Sequence, residues 1–161
     1  EGLVEILPRK GVLVSDTNPQ KQLLLLEVRR ELDRLMARTG AVRASTDERE
    51  QFKVIADNME ATATARDGVA FMRHDVKFNA LLAAACHNEY AKRAMRLING
   101  LSRRFWFMHF QRSADLPLCA RLHANMARAI GAGDPEGAAI AADALVDYVE
   151  IFTRATIDIA P

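Results

Sequence analysis

Hydrophobic positions follow two different periods along the chain, and the change of period divides it into two parts. Residues 3–7 and 12–14 form two short, mostly apolar runs on either side of Pro8-Arg9-Lys10-Gly11. That sequence is typical of a turn, because proline presets φ and glycine tolerates a positive φ. The pattern predicts a β-hairpin over residues 1–14. A two-stranded hairpin alone is marginal in water, so we expect it to belong to a larger unit.

After a polar linker at residues 15–19, the apolar period becomes about 3.6 residues, the period of an amphipathic α-helix. Six such stretches predict an all-α domain over residues 20–161, an antiparallel bundle of about six helices with short connections. Glycine and capping residues mark the predicted boundaries: Gly40, Ser45-Thr46-Asp47-Glu48, Asp67-Gly68, His87 and Asn88, Asp115-Leu116-Pro117, Gly131 or Gly133, and Asp134-Pro135-Glu136.

The composition is that of one ordinary globular domain. Its formal net charge of +1 is too balanced to indicate a nucleic-acid surface on this segment. No apolar run approaches a membrane span and no signal peptide is visible, so we expect a cytoplasmic protein without a membrane partner. Because the sequence does not begin with methionine, we also expect a fragment or a processed chain. Cys86 and Cys119 lack CxxC spacing and are predicted to be reduced, buried thiols.

Two polar side chains interrupt apolar helix faces. Asp75 has Phe71 and Phe78 one turn away on its helix, and His123 has Met126 among its neighbours. A carboxylate directed towards a core is costly unless it is paired, hydrogen-bonded or bound to a metal. We therefore predict a buried site at Asp75 and His123, in which the two form either a hydrogen-bonded pair or part of a metal centre.

Arg29 and Arg104 are the candidates for a positive charge inside the bundle, because both have apolar residues one turn away. An inward guanidinium offers a planar fork for a carboxylate. The alternative is that each pairs with an acidic side chain or extends to the surface. The sequence shows no nucleophile–base arrangement and no phosphate-binding glycine loop, so it predicts a protein that is not an enzyme.

Several short motifs lie in order along the chain: Glu27-Val28-Arg29-x-x-Leu32-Asp33, Asp75-Val76-Lys77-Phe78-Asn79, Asn88, and His123-x(6)-Ile130-x-x-Gly133-Asp134. In this order and spacing they resemble the FCD effector domain of the FadR subfamily of GntR-type bacterial transcription regulators. The first fourteen residues, with the pattern E-G-L-V-x(4)-R-x-G-V-x-V, resemble the β-wing of the winged helix-turn-helix domain in the same regulators.

The resemblance implies a cytoplasmic homodimer that senses a small metabolite, typically a carboxylate, inside the bundle. Operator DNA would be bound through helices upstream of this chain, with Arg9 and Lys10 of the wing close to the DNA. We accordingly expect this segment alone not to bind operator DNA specifically.

The resemblance also implies a site. In the family, one aspartate and three histidines bind a divalent metal inside the bundle. Here Asp75 and His123 match two of the four ligands, Asn79 replaces a histidine, and Leu145 lies where the last histidine should fall. The expectation is a degraded site for zinc, nickel or manganese, and an effector held by the following residues: Arg29, Asp75, Asn79, His123 and Arg104.

Two other functions remain open from the sequence. One is a helical-bundle metalloenzyme with an Asp/His metal centre. The shortage of good ligands argues against it, because a catalytic metal usually has three protein ligands. The other is a purely structural dimerisation module with a filled core.

Overall fold

A computed structural model of the chain describes residues 4–8, 11–14 and 17–157, with side chains at residues 8, 17–112 and 114–157. Strands β1 (Val4–Leu7) and β2 (Gly11–Val14) pair antiparallel. Arg9 and Lys10, which we expect to contact DNA in an intact regulator, lie outside the described residues. The identification of this hairpin as a wing stays a prediction.

Helices make up nearly all of the rest of the described chain, and the predicted all-α bundle of about six helices is confirmed. The helices are α1 (Pro19–Arg43), α2 (Thr46–Ala65), α3 (Gly68–Ala85), α4 (Glu89–Ser113), α5 (Leu116–Ala132) and α6 (Pro135–Ile157). None of these described helices combines the length and the apolar composition that crossing a bilayer requires.

The helices begin where side chains can satisfy the free N–H groups of a first turn. The predicted capping box opens α2: Ser45 Oγ accepts from the Glu48 amide at 3.2 Å, and the Glu48 carboxylate accepts from the Ser45 amide at 2.8 Å. Asn88 and Asp115 are the N-caps of α4 and α5, where their side chains accept from first-turn amides. The predicted starts of these three helices are therefore confirmed.

The predicted end of the first helix at Gly40 is wrong, since α1 continues to Arg43. Gly40 and Ala41 are both buried, and the position of a Cβ on Gly40 lies 3.7 Å from side-chain atoms of Leu82 and Ile130. Burial of this turn against α3 and α5 outweighs the cost of about 1 kcal/mol for glycine inside a helix.

The prediction for the end of α5 included Gly133, and that glycine is the C-cap. Its φ of 75° lies in the left-handed region that glycine adopts without strain. Its amide bonds back to the Ile130 carbonyl at 3.0 Å and so satisfies one of the last carbonyls of the helix.

The core is centred on α5, which packs against α2 on one side and α6 on the other, while α1 packs along α6. Small residues of α5 such as Ala120, Ala124 and Ala127 are fully buried, which allows the neighbouring helices to approach closely. Helix α4 contacts α1, α3 and α6. Phe105 and Trp106 of α4 join the core, and a cavity lies between this helix and the rest of the bundle.

Candidate functional site

A cavity of about 50 Å³ lies between α4 and the centre of the bundle. By the rule that one water needs about 10–15 Å³, it holds only a few waters or a very small ligand. Its walls come from five helices: Arg29 of α1; Phe71, Met72, Asp75 and Asn79 of α3; Asn99, Ser102, Arg103 and Trp106 of α4; Cys119 and His123 of α5; and Leu145, Val146 and Val149 of α6. Four of the five predicted effector-site residues are therefore brought together.

Asp75 is the fixed anion of this cavity. Its Oδ1 accepts a hydrogen bond from Asn79 Nδ2 at 2.8 Å, and its Oδ2 accepts one from Arg103 Nε at 3.3 Å. The Nε2 atom of His123 lies 3.4 Å from Oδ1. Burial raises the pKa of Asp75, but the contact with His123 and the charges of Arg103 and Arg29 lower it by more, so the net pKa is below the usual value. The carboxyl is thus ionised at neutral pH.

His123 is held in one orientation by its surroundings. Its Nδ1 lies 2.8 Å from the carbonyl oxygen of Cys119, one turn earlier on α5. Because a carbonyl only accepts, Nδ1 carries a proton and donates it. The rings of Phe71 and Phe78 meet the imidazole edge-on, with centroids at 5.3 and 5.8 Å. The Nε2 edge, which faces Asp75, is the part of the ring left for a ligand.

Arg29 supplies a second cation, paired along its own helix. Its Nε donates to Asp33 Oδ2 at 2.9 Å, and only 3% of the Asp33 side chain is exposed. Burial lowers the pKa of Arg29, but the charges of Asp33 and Asp75 raise it by more, so the guanidinium stays charged. Arg29 thus lines the cavity and is paired with an acidic residue, whereas its contact with an effector stays a prediction.

Arg103, and not the predicted Arg104, lines the cavity from α4. Successive helical residues are rotated by about 100°, and this rotation turns Arg104 away from the wall that Ser102 and Arg103 form. Arg104 is half-buried outside the cavity lining. The signal in the sequence that could have selected Arg103 is its spacing from Asn99 and Trp106, which places all three on one face of α4.

The α4 wall also carries buried polar atoms without partners. Asn99 Oδ1 and Trp106 Nε1 have no hydrogen-bond partner in the part of the chain that the structure describes. Both residues line the cavity, and Trp106 is 8% exposed. An unsatisfied buried donor or acceptor costs free energy, so this wall is the side of the cavity where polar groups of a ligand would be stabilising.

The residues present do not fit the four-ligand metal centre of the family. Asn79 turns its Nδ2 donor towards Asp75, binding both Oδ1 and the main-chain oxygen at 2.8 Å, and so does not act as an oxygen ligand there. Leu145 contributes only carbon atoms. Within the described ranges, no group of three His, Cys, Asp or Glu side chains could hold a metal ion. The two predicted metal ligands, Asp75 and His123, lie with Oδ1 and Nε2 3.4 Å apart.

Cys119, His123 and Asp75 lie in the order of a nucleophile, a base and an orienting acid, an arrangement that sequence analysis did not detect. Cys119 Sγ is 3.8 Å from His123 Nδ1. However, burial and then the charge of Asp75 raise the pKa of the Cys119 thiol well above its usual value. Because Nδ1 is also engaged by a carbonyl, the thiol is not activated as a nucleophile. The geometry favours ligand binding over covalent catalysis.

Comparison with known proteins identifies a family whose model covers most of the cavity lining. The model of the FCD domain matches residues 24–148, a range that includes every cavity-lining residue except Val149. Among solved structures, Streptococcus agalactiae GntR is similar to this chain, with a TM-score of 0.68 and 18% identity over 93% of this chain and 75% of that chain. At that identity the similarity concerns the fold. No curated protein sequence matched the chain.

Proposed function

Since this chain belongs to the FCD domain family, we propose that it is the effector-sensing domain of a cytoplasmic GntR-type transcription regulator. In this proposal a small carboxylate binds in the cavity around Asp75 and modulates operator binding by the intact protein. The observation that supports it best is the convergence of Arg29, Arg103 and His123 on one small cavity. Guanidinium groups bind carboxylates through charge-assisted hydrogen bonds, and an imidazole N–H can donate to them as well.

The cationic side chains around the cavity keep hydrogen-bond donors that a bound anion could use. Arg29 is paired with Asp33, and Asp75 faces both Arg103 and His123. Among the described residues, Arg103 donates to Asp75 from Nε, and its two Nη groups could donate to a ligand. Since 32% of the Arg103 side chain is exposed, an effector could also reach it from solvent.

We propose that this site works without a metal. The positive charge that a metal brings to the family's cavity is here provided by Arg29 and Arg103. Asn79 and Leu145 replace two histidine ligands with a hydrogen-bond donor and an aliphatic side chain. A binding role, rather than an enzymatic one, is also supported by the raised pKa of the Cys119 thiol.

Titration calorimetry with sodium acetate, propionate and succinate, against sodium chloride of equal ionic strength, tests the proposal. Arg103→Met should weaken binding about 10- to 100-fold, the value of one hydrogen bond to a charged group. Arg104→Met is a matched control, since it removes the neighbouring charge outside the cavity, and it should leave the affinity unchanged. Failure of all three carboxylates to bind, or equal losses in the two variants, would contradict the proposal.

We also propose that the domain is a homodimer. Helix α1 exposes four large apolar side chains at spacings of four and seven residues, which place them on one face: Leu24 (63%), Val28 (57%), Leu35 (42%) and Val42 (66%). Contiguous exposed apolar surface is typical of a protein–protein contact. Sedimentation analysis should show a dimer for the unchanged chain and a monomer for Val28→Asp. A monomer at micromolar concentration before any substitution would refute the dimer.

We propose binding of operator DNA for the intact regulator and not for this segment alone. It would involve helices upstream of this chain, with Arg9 and Lys10 approaching the phosphates. An operator fragment should therefore bind the full regulator and not this segment, which a gel-shift comparison of the two would measure.

A further inference from the structure

A buried hydrogen bond joins the wall of the cavity to the first turn of α1. Gln22 Nε2 donates to Ser102 Oγ at 3.3 Å, and the two residues are 5% and 6% exposed. Ser102 lines the cavity on α4, whereas Gln22 does not line it. The contact therefore lies directly behind the cavity wall, on the side that faces the amino-terminal end of α1.

A second polar contact joins the same two elements nearer to the preceding chain. Thr17 Oγ1 lies 3.2 Å from His109 Nε2, and the His109 ring packs on Phe105 with centroids 4.6 Å apart. Thr17 comes just before Asn18, whose side chain caps α1 by accepting from the Lys21 amide at 2.9 Å. Residues 17 and 22 are thus fixed to α4 at two points, about two helical turns apart on that helix.

The first turn of α1 is joined by hydrogen bonds to Asn18, the residue immediately before it. Pro19 stands in its first turn, and Gln22 donates its backbone amide to the Asn18 carbonyl at 2.9 Å. Two turns further on, Arg29 of the same helix lines the cavity. Both helices that these contacts join therefore also touch the cavity.

We propose that the Gln22–Ser102 hydrogen bond couples occupancy of the cavity to the start of α1 and the chain that precedes it. A ligand that contacts Arg103 or Trp106 shifts the α4 wall, and Ser102 lies between these residues and Asn99 on the same face. Gln22 transmits that shift because it is bonded to Ser102 and rigidly held in the first turn of α1. Gln22 is then a positioning residue and not a ligand of the effector. This inference rests on the proposed function of the cavity.

Hydrogen exchange of the amides at residues 17–26, with and without each of the three sodium carboxylates named above, tests the coupling. In the unchanged chain, the carboxylate that binds should alter exchange in this segment by at least about threefold, as expected when a local opening equilibrium shifts. Gln22→Met keeps the length of the side chain but removes the donor. It should abolish the exchange response, while calorimetry shows an affinity changed by less than about fivefold.

Gln20→Met is the matched control, because it is the same substitution at an exposed position two residues away. It should keep both the affinity and the exchange response. If Gln22→Met does not fold, Gln22→Asn keeps a polar amide but is one methylene too short to reach Ser102, and it is read in the same way. Persistence of the response in the variant overturns the coupling and leaves the proposed function standing. Absence of carboxylate binding to the unchanged chain overturns both.

Discussion

Replacing Asp75 by asparagine tests whether the cavity stabilises a charge. The side chain keeps its size, and an asparagine oxygen could still accept from Asn79 Nδ2. What is lost is the negative charge that faces Arg103 at 3.3 Å and His123 at 3.4 Å. Because the pKa of Asp75 is below its usual value, its surroundings favour the ionised form despite burial. Asp75→Asn should therefore destabilise the fold.

The expected loss is about 1–2 kcal/mol at pH 7. A hydrogen bond to a charged acceptor contributes about 1.5–3 kcal/mol and a neutral one about 0.5–1.5 kcal/mol, so converting the Asn79 bond costs about 1 kcal/mol. The contact with Arg103 adds a few tenths, since that side chain is 32% exposed and solvent screens the pair. Asp75→Asn would also leave His123 without its acidic neighbour.

The pH dependence of this difference has a fixed sign. A carboxyl whose pKa is lowered by folding contributes stability above its unfolded pKa, and loses that contribution as the pH falls through its lower folded pKa. The gap between the unchanged chain and Asp75→Asn should therefore be full near pH 7 and shrink under acid conditions below about pH 4. Urea unfolding from pH 7 to pH 3 measures it.

A matched control is Asp57→Asn, which removes the same charge where 83% of the side chain is exposed. It should change the free energy of unfolding by less than about 0.5 kcal/mol. Equal or greater stability of Asp75→Asn at pH 7 would refute the reasoning. So would a gap that did not depend on pH, because the loss would then not arise from the charge.

Two further substitutions test the packing of the bundle. Gly133→Ala should lower the free energy of unfolding by about 2 kcal/mol, because the residue has a φ of 75° and an added Cβ would displace the Arg49 guanidinium. That guanidinium donates to the Ala41 carbonyl at 2.7 Å. Thermal unfolding that matches the unchanged chain would contradict this. Phe78→Ala should lower the free energy of unfolding by about 3–5 kcal/mol, since Phe78 is 2% exposed in the core. Val54→Ala, at a 60% exposed position, should lower it little. Similar urea midpoints for the two variants would contradict the assigned core.

Much of the fold could be predicted because helix starts depend on local chemistry. A side chain such as Ser45 or Asn88 satisfies amides within three residues of itself, so the sequence around it contains the whole interaction. The end of α1 could not be predicted in this way. Gly40 resembles a helix terminator locally, and only the packing of α3 and α5 against it shows that the helix continues.

The same distinction between local and long-range information applies to the site. Asp75 and His123 could be selected because a polar residue on an apolar helix face is visible within one helix. The sequence pointed to Arg104 and not to Arg103, which lines the cavity, because the rotation of α4 against the bundle decides which arginine faces inward. The link between Gln22 and Ser102 joins residues 80 positions apart, which no local pattern indicates.

The most direct test of the account is a crystal structure of the chain, purified with a chelator and then soaked in sodium acetate, the smallest of the three carboxylates. The account predicts carboxylate density within hydrogen-bond distance of Arg103 or Arg29, with Asp75 and His123 beside it and no metal between them. An ion at about 2.0–2.2 Å from Asp75 Oδ1 and His123 Nε2, the bond lengths of zinc, would contradict it. An empty cavity with acetate bound elsewhere would contradict it equally.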